Sequence, residues 1–306
     1  MLSHIGAARC FVRLTRAAGD AVISSIAHPT DFSPASHEAY LHALALALAY
    51  RCKLYLLHVR SEDGSQAHAH AHAHAHAHAH AHAHADEGFP HIRETLIAWG
   101  RLSGEASPED IEKVTGVAVR KVDIRDQDPI EGLSHFLMAR EAGLIVARTH
   151  GDARQGLLAS RSISAGVMRE TRIPTLFFGP RFNRPFIDAA TGAITLRRVL
   201  MAIDGRPNPW PAVNTLKELT DPLQATVRLT HVGDALPVEL QTSHSQISLL
   251  ARHGSVGATL TAASGDTDLI AMPTDPEKNM WERIVGSAST HVVGEAATPI
   301  LLIPAS

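Results

Sequence analysis

The chain has 306 residues, which at a typical domain size of about 150 residues corresponds to two ordinary domains. Lys and Arg total 28 against 31 Asp and Glu, a formal charge of −3, so no chain-wide basic footprint marks a nucleic-acid partner. The two cysteines, Cys10 and Cys52, stand outside any CxxC or disulfide-framework spacing, which excludes a cysteine zinc site and fits a reducing, cytoplasmic compartment. No apolar run approaches the roughly 20 residues that span a bilayer, so no membrane partner is expected.

Residues 1–20 carry Arg9, Arg13 and Arg16 before the first acid, Asp20, without the long apolar core of a secretory signal. They read as an N-terminal extension, with a targeting leader as the alternative. The β-branched run from Val22 to Ile26, closed by Ala27-His28-Pro29-Thr30-Asp31, predicts a strand. Ser33 before Pro34 then caps a helix to about Arg51, and Lys53 to Val59 is the next strand. Parallel pairing of these strands requires the helix to be a right-handed crossover.

From Ala67 to Ala85 alanine and histidine alternate without interruption, placing His68, His70, His72, His74, His76, His78, His80, His82 and His84 in one low-complexity tract. With no apolar side chain larger than alanine, the stretch 62–88 cannot offset the entropy of ordering itself and reads as a loop. An extended chain would place all nine imidazoles on one face and a helix would pair them at i,i+4, so either could chelate Zn, Ni, Cu or Co. The alternatives are an expanded repeat in a tolerant loop and a loop that gains charge below about pH 6.5.

Beyond the tract, helical spacing runs from Pro90 to Leu102, and Ser107-Pro108-Glu109-Asp110 opens a second short helix with a cap. Strand Val117–Ile124, helix Asp128–Ala142, strand Leu144–Ala147, a helix from about Ser160 to Thr171 and strand Thr175–Phe178 complete the first half. Residues 181–195, rich in Pro, Arg, Asn and Gly with no period, read as a linker. The plan then restarts: Arg198–Asp204 repeats the opening strand with its terminal acid, Trp210–Leu219 the helix, and Val227–Val232 matches Leu54–Val59, down to the shared His-Val. Strand Ile247–Arg252, helix Val256–Ala263, strand Leu269–Met272, helix Glu282–Gly294 and strand Ile300–Ile303 follow in the same order. Alternating strands and helices specify a parallel sheet covered on both faces.

With Pro29-Thr30-Asp31-Phe32-Ser33, Leu57-His58-Val59, Thr149-His150-Gly151 and Gly286-Ser287 placed, the chain resembles the universal stress protein family in its tandem form. The resemblance covers residues 21–180 and 196–306 and implies two doubly wound α/β sandwiches of Rossmann-like type related by a pseudo-twofold. It also implies an adenine-nucleotide site at the strand C-terminal ends. Carried onto this chain, Pro29, Thr30, Asp31 and Val59, with Asp204 and Val232, hold the nucleoside end of ATP. The phosphate loop, glycine-rich in nucleotide-binding members, reads Arg148, His150, Gly151, Arg161 and Ser162 in the first half. In the second half only Gly286 and Ser287 survive, behind prolines. The two arginines either fill the cavity or hold another anion.

The resemblance further implies that the last strands, Thr175–Phe178 and Ile300–Ile303, pair within the chain as an intramolecular pseudo-dimer, with a homodimer still open. No G-x-S-x-G elbow or Walker lysine is present. Three functions follow: a non-catalytic stress-signalling module reading a nucleotide or other anion, a metal buffer acting through the histidine tract, and a weak nucleotide hydrolase using His150. The signal and any protein partner are unspecified by the sequence.

Overall fold

The computed structural model describes residues 23–60, 88–149, 163–206, 208–241, 245–252, 254–274 and 288–304. The first half supplies β1 (Ser25–Pro29), α1 (Pro34–Tyr50), β2 (Lys53–Arg60), α2 (Ile92–Ala98), α3 (Asp110–Thr115), β3 (Val119–Arg125), α4 (Pro129–Ala139), β4 (Leu144–Arg148), α5 (Ile163–Thr171) and β5 (Thr175–Phe178). The second supplies β6 (Arg198–Ala202), α6 (Trp210–Thr220), a 3-10 turn (Asp221–Leu223), β7 (Thr226–Val232), α7 (Val238–Gln241), β8 (Ile247–Leu250), α8 (Val256–Ala263), β9 (Leu269–Thr274), α9 (Ala288–Glu295) and β10 (Ile300–Pro304).

The described strands form one sheet, ordered β3-β2-β1-β4-β5-β10-β9-β6-β7-β8. Pairing is parallel within each half and antiparallel only at the seam, where Ile300, Leu301 and Leu302 face Phe177, Leu176 and Thr175. The seam is the pairing expected from the last strands. The halves also share register: β1 residues pair 28 positions ahead with β2, as Ser25 does with Lys53, and Arg198 of β6 pairs at the same interval with Thr226 of β7. Likewise Ile145 pairs with Thr175 and Ile270 with Ile300.

Strand alternation divides the core. Ile26, Leu56, Val146, Phe178, Met201 and Leu301 face α1 and α6 in one cluster that runs across the seam. On the other face, Ala27, Leu57 and Ala147 pack on α4 and α5, and Phe177, Ile270 and Leu302 on α8 and α9. Helix α1 is buried on almost every side from Ala39 to Ala47 because the sheet lies under it and α6 and residues 182–196 beside it. Its Tyr50 hydroxyl donates to Leu219 O at 2.6 Å, tying the halves together.

Local signals act largely as read. The Ser33 hydroxyl accepts from Ser36 N at 3.1 Å, and Asp128 and Ser255 cap α4 and α8 in the same way. Ser107 instead precedes its helix by a turn, donating from N and Oγ to Asp110 Oδ2, both at 2.9 Å, and α3 begins at Asp110 without a side-chain cap. Residues 181–195 connect the halves, yet they pack. Phe182, Phe186 and Ile187 are buried, Ile187 bridges Ile194, and the turn at Asp188–Gly192 takes a hydrogen bond from Trp99 Nε1 at Ala189 O, 2.9 Å. Gly192 is required there: its φ is +64°, and a Cβ would lie 2.3 Å from the Trp99 ring.

Candidate functional site

The C-terminal ends of β1, β2 and β4 lie side by side, where open α/β sheets hold ligands. Pro29 closes β1 opposite Leu57, and Thr30 N donates to Leu57 O at 2.8 Å. The chain then makes two side-chain-braced turns: Phe32 N donates to Thr30 Oγ1 and Ser33 N to Asp31 Oδ1, each at 3.0 Å. They hold Phe32 in the left-handed region at φ 63°. Its ring stacks on His58, centroids 4.2 Å apart, and meets Phe89 edge-on at 5.2 Å. His58 Nδ1 faces Thr30 O at 2.9 Å and so carries the proton. Asp31 is exposed at the cleft edge, while half-buried Val59 points to the α4 side.

Beneath this rim is a buried polar chain. His28, fully enclosed, donates from Nδ1 to Val146 O at 2.8 Å, leaving Nε2 3.3 Å from Ser36 Oγ, which is hydrogen-bonded to Thr30 Oγ1 at 3.2 Å. Burial pushes the imidazole pKa down to about 4, so the ring is neutral and braces β1, β4 and α1 against one another. Neither His28 nor Ser36 was singled out from sequence. The signal was alternation, which aims residue 28 at α1 just as it aims Ile26.

Arg148 ends β4 on that same face. Its guanidinium pairs with Glu38 at 3.4 Å and lies 5.9 Å from the centre of the Phe182 ring, with the side chain only 12% exposed. The arginine is thus engaged on the α1 side, with Glu38 for its counter-charge. Desolvation lowers its pKa and Glu38 raises it, and a guanidinium stays charged under either influence.

The second half repeats the geometry. His231 Nδ1 contacts Ile203 O at 3.2 Å and lies 3.7 Å from Asp204 Oδ1, and Val232 packs under the sheet beside it. Where Phe32 covers His58, the corresponding position is Gly205, and no ring covers His231 among the described residues. His150, Gly151, Arg161, Ser162, Gly286, Ser287 and the nine tract histidines lie outside the described residues. Among the described residues no cluster of three or more His, Cys, Asp or Glu could hold a metal, and no helix is long and apolar enough to cross a membrane.

An acid following β1 beside His-Val ending β2 is the arrangement that the resemblance implies, and the family model for the universal stress protein family matches residues 23–178. The chain belongs to the universal stress protein family. Among solved structures it is similar to a universal stress protein from Archaeoglobus fulgidus DSM 4304, 15% identical, with TM-score 0.58 over 92% of this chain and 96% of that one. It is also similar to a putative universal stress protein from Pseudomonas aeruginosa UCBPP-PA14, 14% identical, with TM-score 0.55 over 92% and 93%. At such identities the likeness is one of fold, and it extends the universal stress protein architecture across both halves. No curated protein matches the chain.

Proposed function

We propose that this universal stress protein is a non-catalytic binding module for stress signalling, whose first half takes the nucleoside end of an adenine nucleotide. The observation that carries the reading is the rim Thr30-Asp31 against His58-Val59, held rigid from below by the His28–Ser36 chain. Asp31 would accept hydrogen bonds from ribose hydroxyls, and Val59 would supply an apolar edge for the base. With Arg148 turned toward Glu38, a triphosphate gains no free guanidinium from β4, and the nucleoside end carries the binding read here.

Isothermal titration of untagged protein with adenosine, AMP and ATP tests this reading. Asp31→Asn should weaken binding by roughly tenfold, the worth of a charge-assisted hydrogen bond. Equal affinity of the variant, or no binding of any adenine compound, would sink it. A second reading, metal buffering, rests on the uninterrupted alternation of nine histidines from His68 to His84. Deleting residues 67–85 should abolish zinc uptake while leaving nucleotide affinity unchanged.

A further inference from the structure

At the opposite, N-terminal end of the strands the molecule has a cleft of about 670 Å³, within the range of small-molecule sites. Its walls come from the last turns of α1 and α3, Gly100 and Arg101 just after α2, the hairpin at Gly192–Ile194, and the 3-10 turn at Pro222 and Leu223 in the second half. Neither half could build it alone. The lining is apolar at Leu48, Val114, Ile194 and Leu223, contains no carboxylate, and carries two guanidinium groups, Arg51 and Arg101.

Cations near helix C-termini ordinarily serve the last carbonyls. Some of those carbonyls are already met by backbone donors: Arg51 N and Cys52 N on Ala47 O, Gly100 N on Ile97 O, Arg101 N on Leu96 O, and Gly116 N on Glu112 O. Neither arginine has an ion pair among the described residues. Arg51 is laid over Gly116, so close that a Cβ there would sit 2.9 Å from its Nε. Two positive charges thus border a trough of mixed polar and apolar surface whose lining offers them no carboxylate.

We propose that this cleft binds an alkyl carboxylate, its chain along Leu48, Val114 and Ile194 and its head group between Arg51 and Arg101. A guanidinium matches a carboxylate through paired N–H donors, and the trough would shield the chain from water. This site is separate from the nucleotide-type rim and does not depend on it.

The test is a titration of the full chain with decanoate, read by tryptophan fluorescence, because Trp99 lies directly behind Gly192 in the wall. Saturable binding is expected, at least tenfold weaker in the Arg51→Gln/Arg101→Gln double variant and at least tenfold weaker for 1-decanol. Val114→Glu, at a position 59% exposed and so tolerant of change, should place a carboxylate beside the arginines and expel the ligand without unfolding the protein. No saturable binding, or unchanged affinity in the double variant, overturns the proposal. Equal affinity for 1-decanol would reduce the cleft to an apolar trough, and equal affinity for acetate to a plain anion site; either outcome also overturns it.

Discussion

Acid should destabilise this protein through two enclosed imidazoles, and replacing one of them should remove a measurable share of the loss. His28 and His42 are 0% and 2% exposed, and burial holds each at a pKa of about 4 against an ordinary 6.5. The folded protein keeps both rings neutral down to about pH 4, whereas the unfolded chain protonates them below about pH 6.5. The unfolded chain therefore binds more protons in that window, and stability present above pH 6.5 drains away as pH falls toward 4. Between pH 7.5 and pH 5 the loss is about 2 kcal/mol for each ring. The informative substitution is His42→Leu. The His42 ring sits among Phe178, Phe182 and Phe186 with centroids 4.6, 5.7 and 4.7 Å away, its Nδ1 donates to Glu38 O, and its Nε2 has no partner among the described residues. Leucine forfeits one hydrogen bond but also removes an orphaned buried nitrogen, so at pH 7.5 the variant should stay within about 1 kcal/mol of the parent. Urea unfolding followed by circular dichroism at both pH values gives two stability differences, which should themselves differ by about 2 kcal/mol in the variant's favour at pH 5. Contributions from the other histidines cancel in that comparison. An identical acid loss in parent and variant would refute the assignment of His42 as a neutral buried ring.

Gly192→Ala must fit a methyl into the face of Trp99 at positive φ, and should cost about 2 kcal/mol or more in a thermal melt while altering tryptophan emission. Leu301→Ala empties the seam beside Leu176, and a loss of about 2–5 kcal/mol is expected in urea. Cys52 is buried and its thiol pushed up to about 12, so in a Cys10→Ser background it should ignore Ellman's reagent in buffer at pH 8 and react once urea unfolds the chain; prompt reaction of that variant in buffer would contradict its burial.

Much of the architecture was legible because burial on both faces leaves a plain mark: short β-branched runs at intervals that fit one crossover helix each. The shared His-Val at the ends of β2 and β7 carried the duplication, since His58 and His231 do the same job 28 residues after the carbonyl they contact. Residues 181–195 do connect the halves, but their packing could not be read from the sequence, because Phe182, Phe186 and Ile187 are buried, and Ile194 half-buried, from an irregular segment with no period to detect. The orientation of Arg148 was available in principle, as Leu144, Val146 and Arg148 share a face, but its partner Glu38 is 110 residues away. Phe32 could not have been placed from pattern, because two consecutive side-chain turns, not propensity, set its backbone. Helix α1 shows little amphipathic signal for the opposite reason: it is enclosed almost all round.

The antiparallel seam between β5 and β10 has a consequence for divergence. Two separate identical chains joined at such an edge must build every feature twice, because any substitution appears on both sides of the twofold. Joined through residues 179–197, the halves meet at an effective concentration that dilution cannot lower, and each is released from copying the other. The molecule uses that freedom: Phe32 stands against Gly205, α2 and α3 against the single turn α7, and an outer strand bearing Arg120, Lys121 and Arg125 against the uncharged Ile247–Leu250. One half can change its surface or its ligand while the other keeps the assembly closed, so the fused chain supports a division of labour that a symmetric dimer cannot.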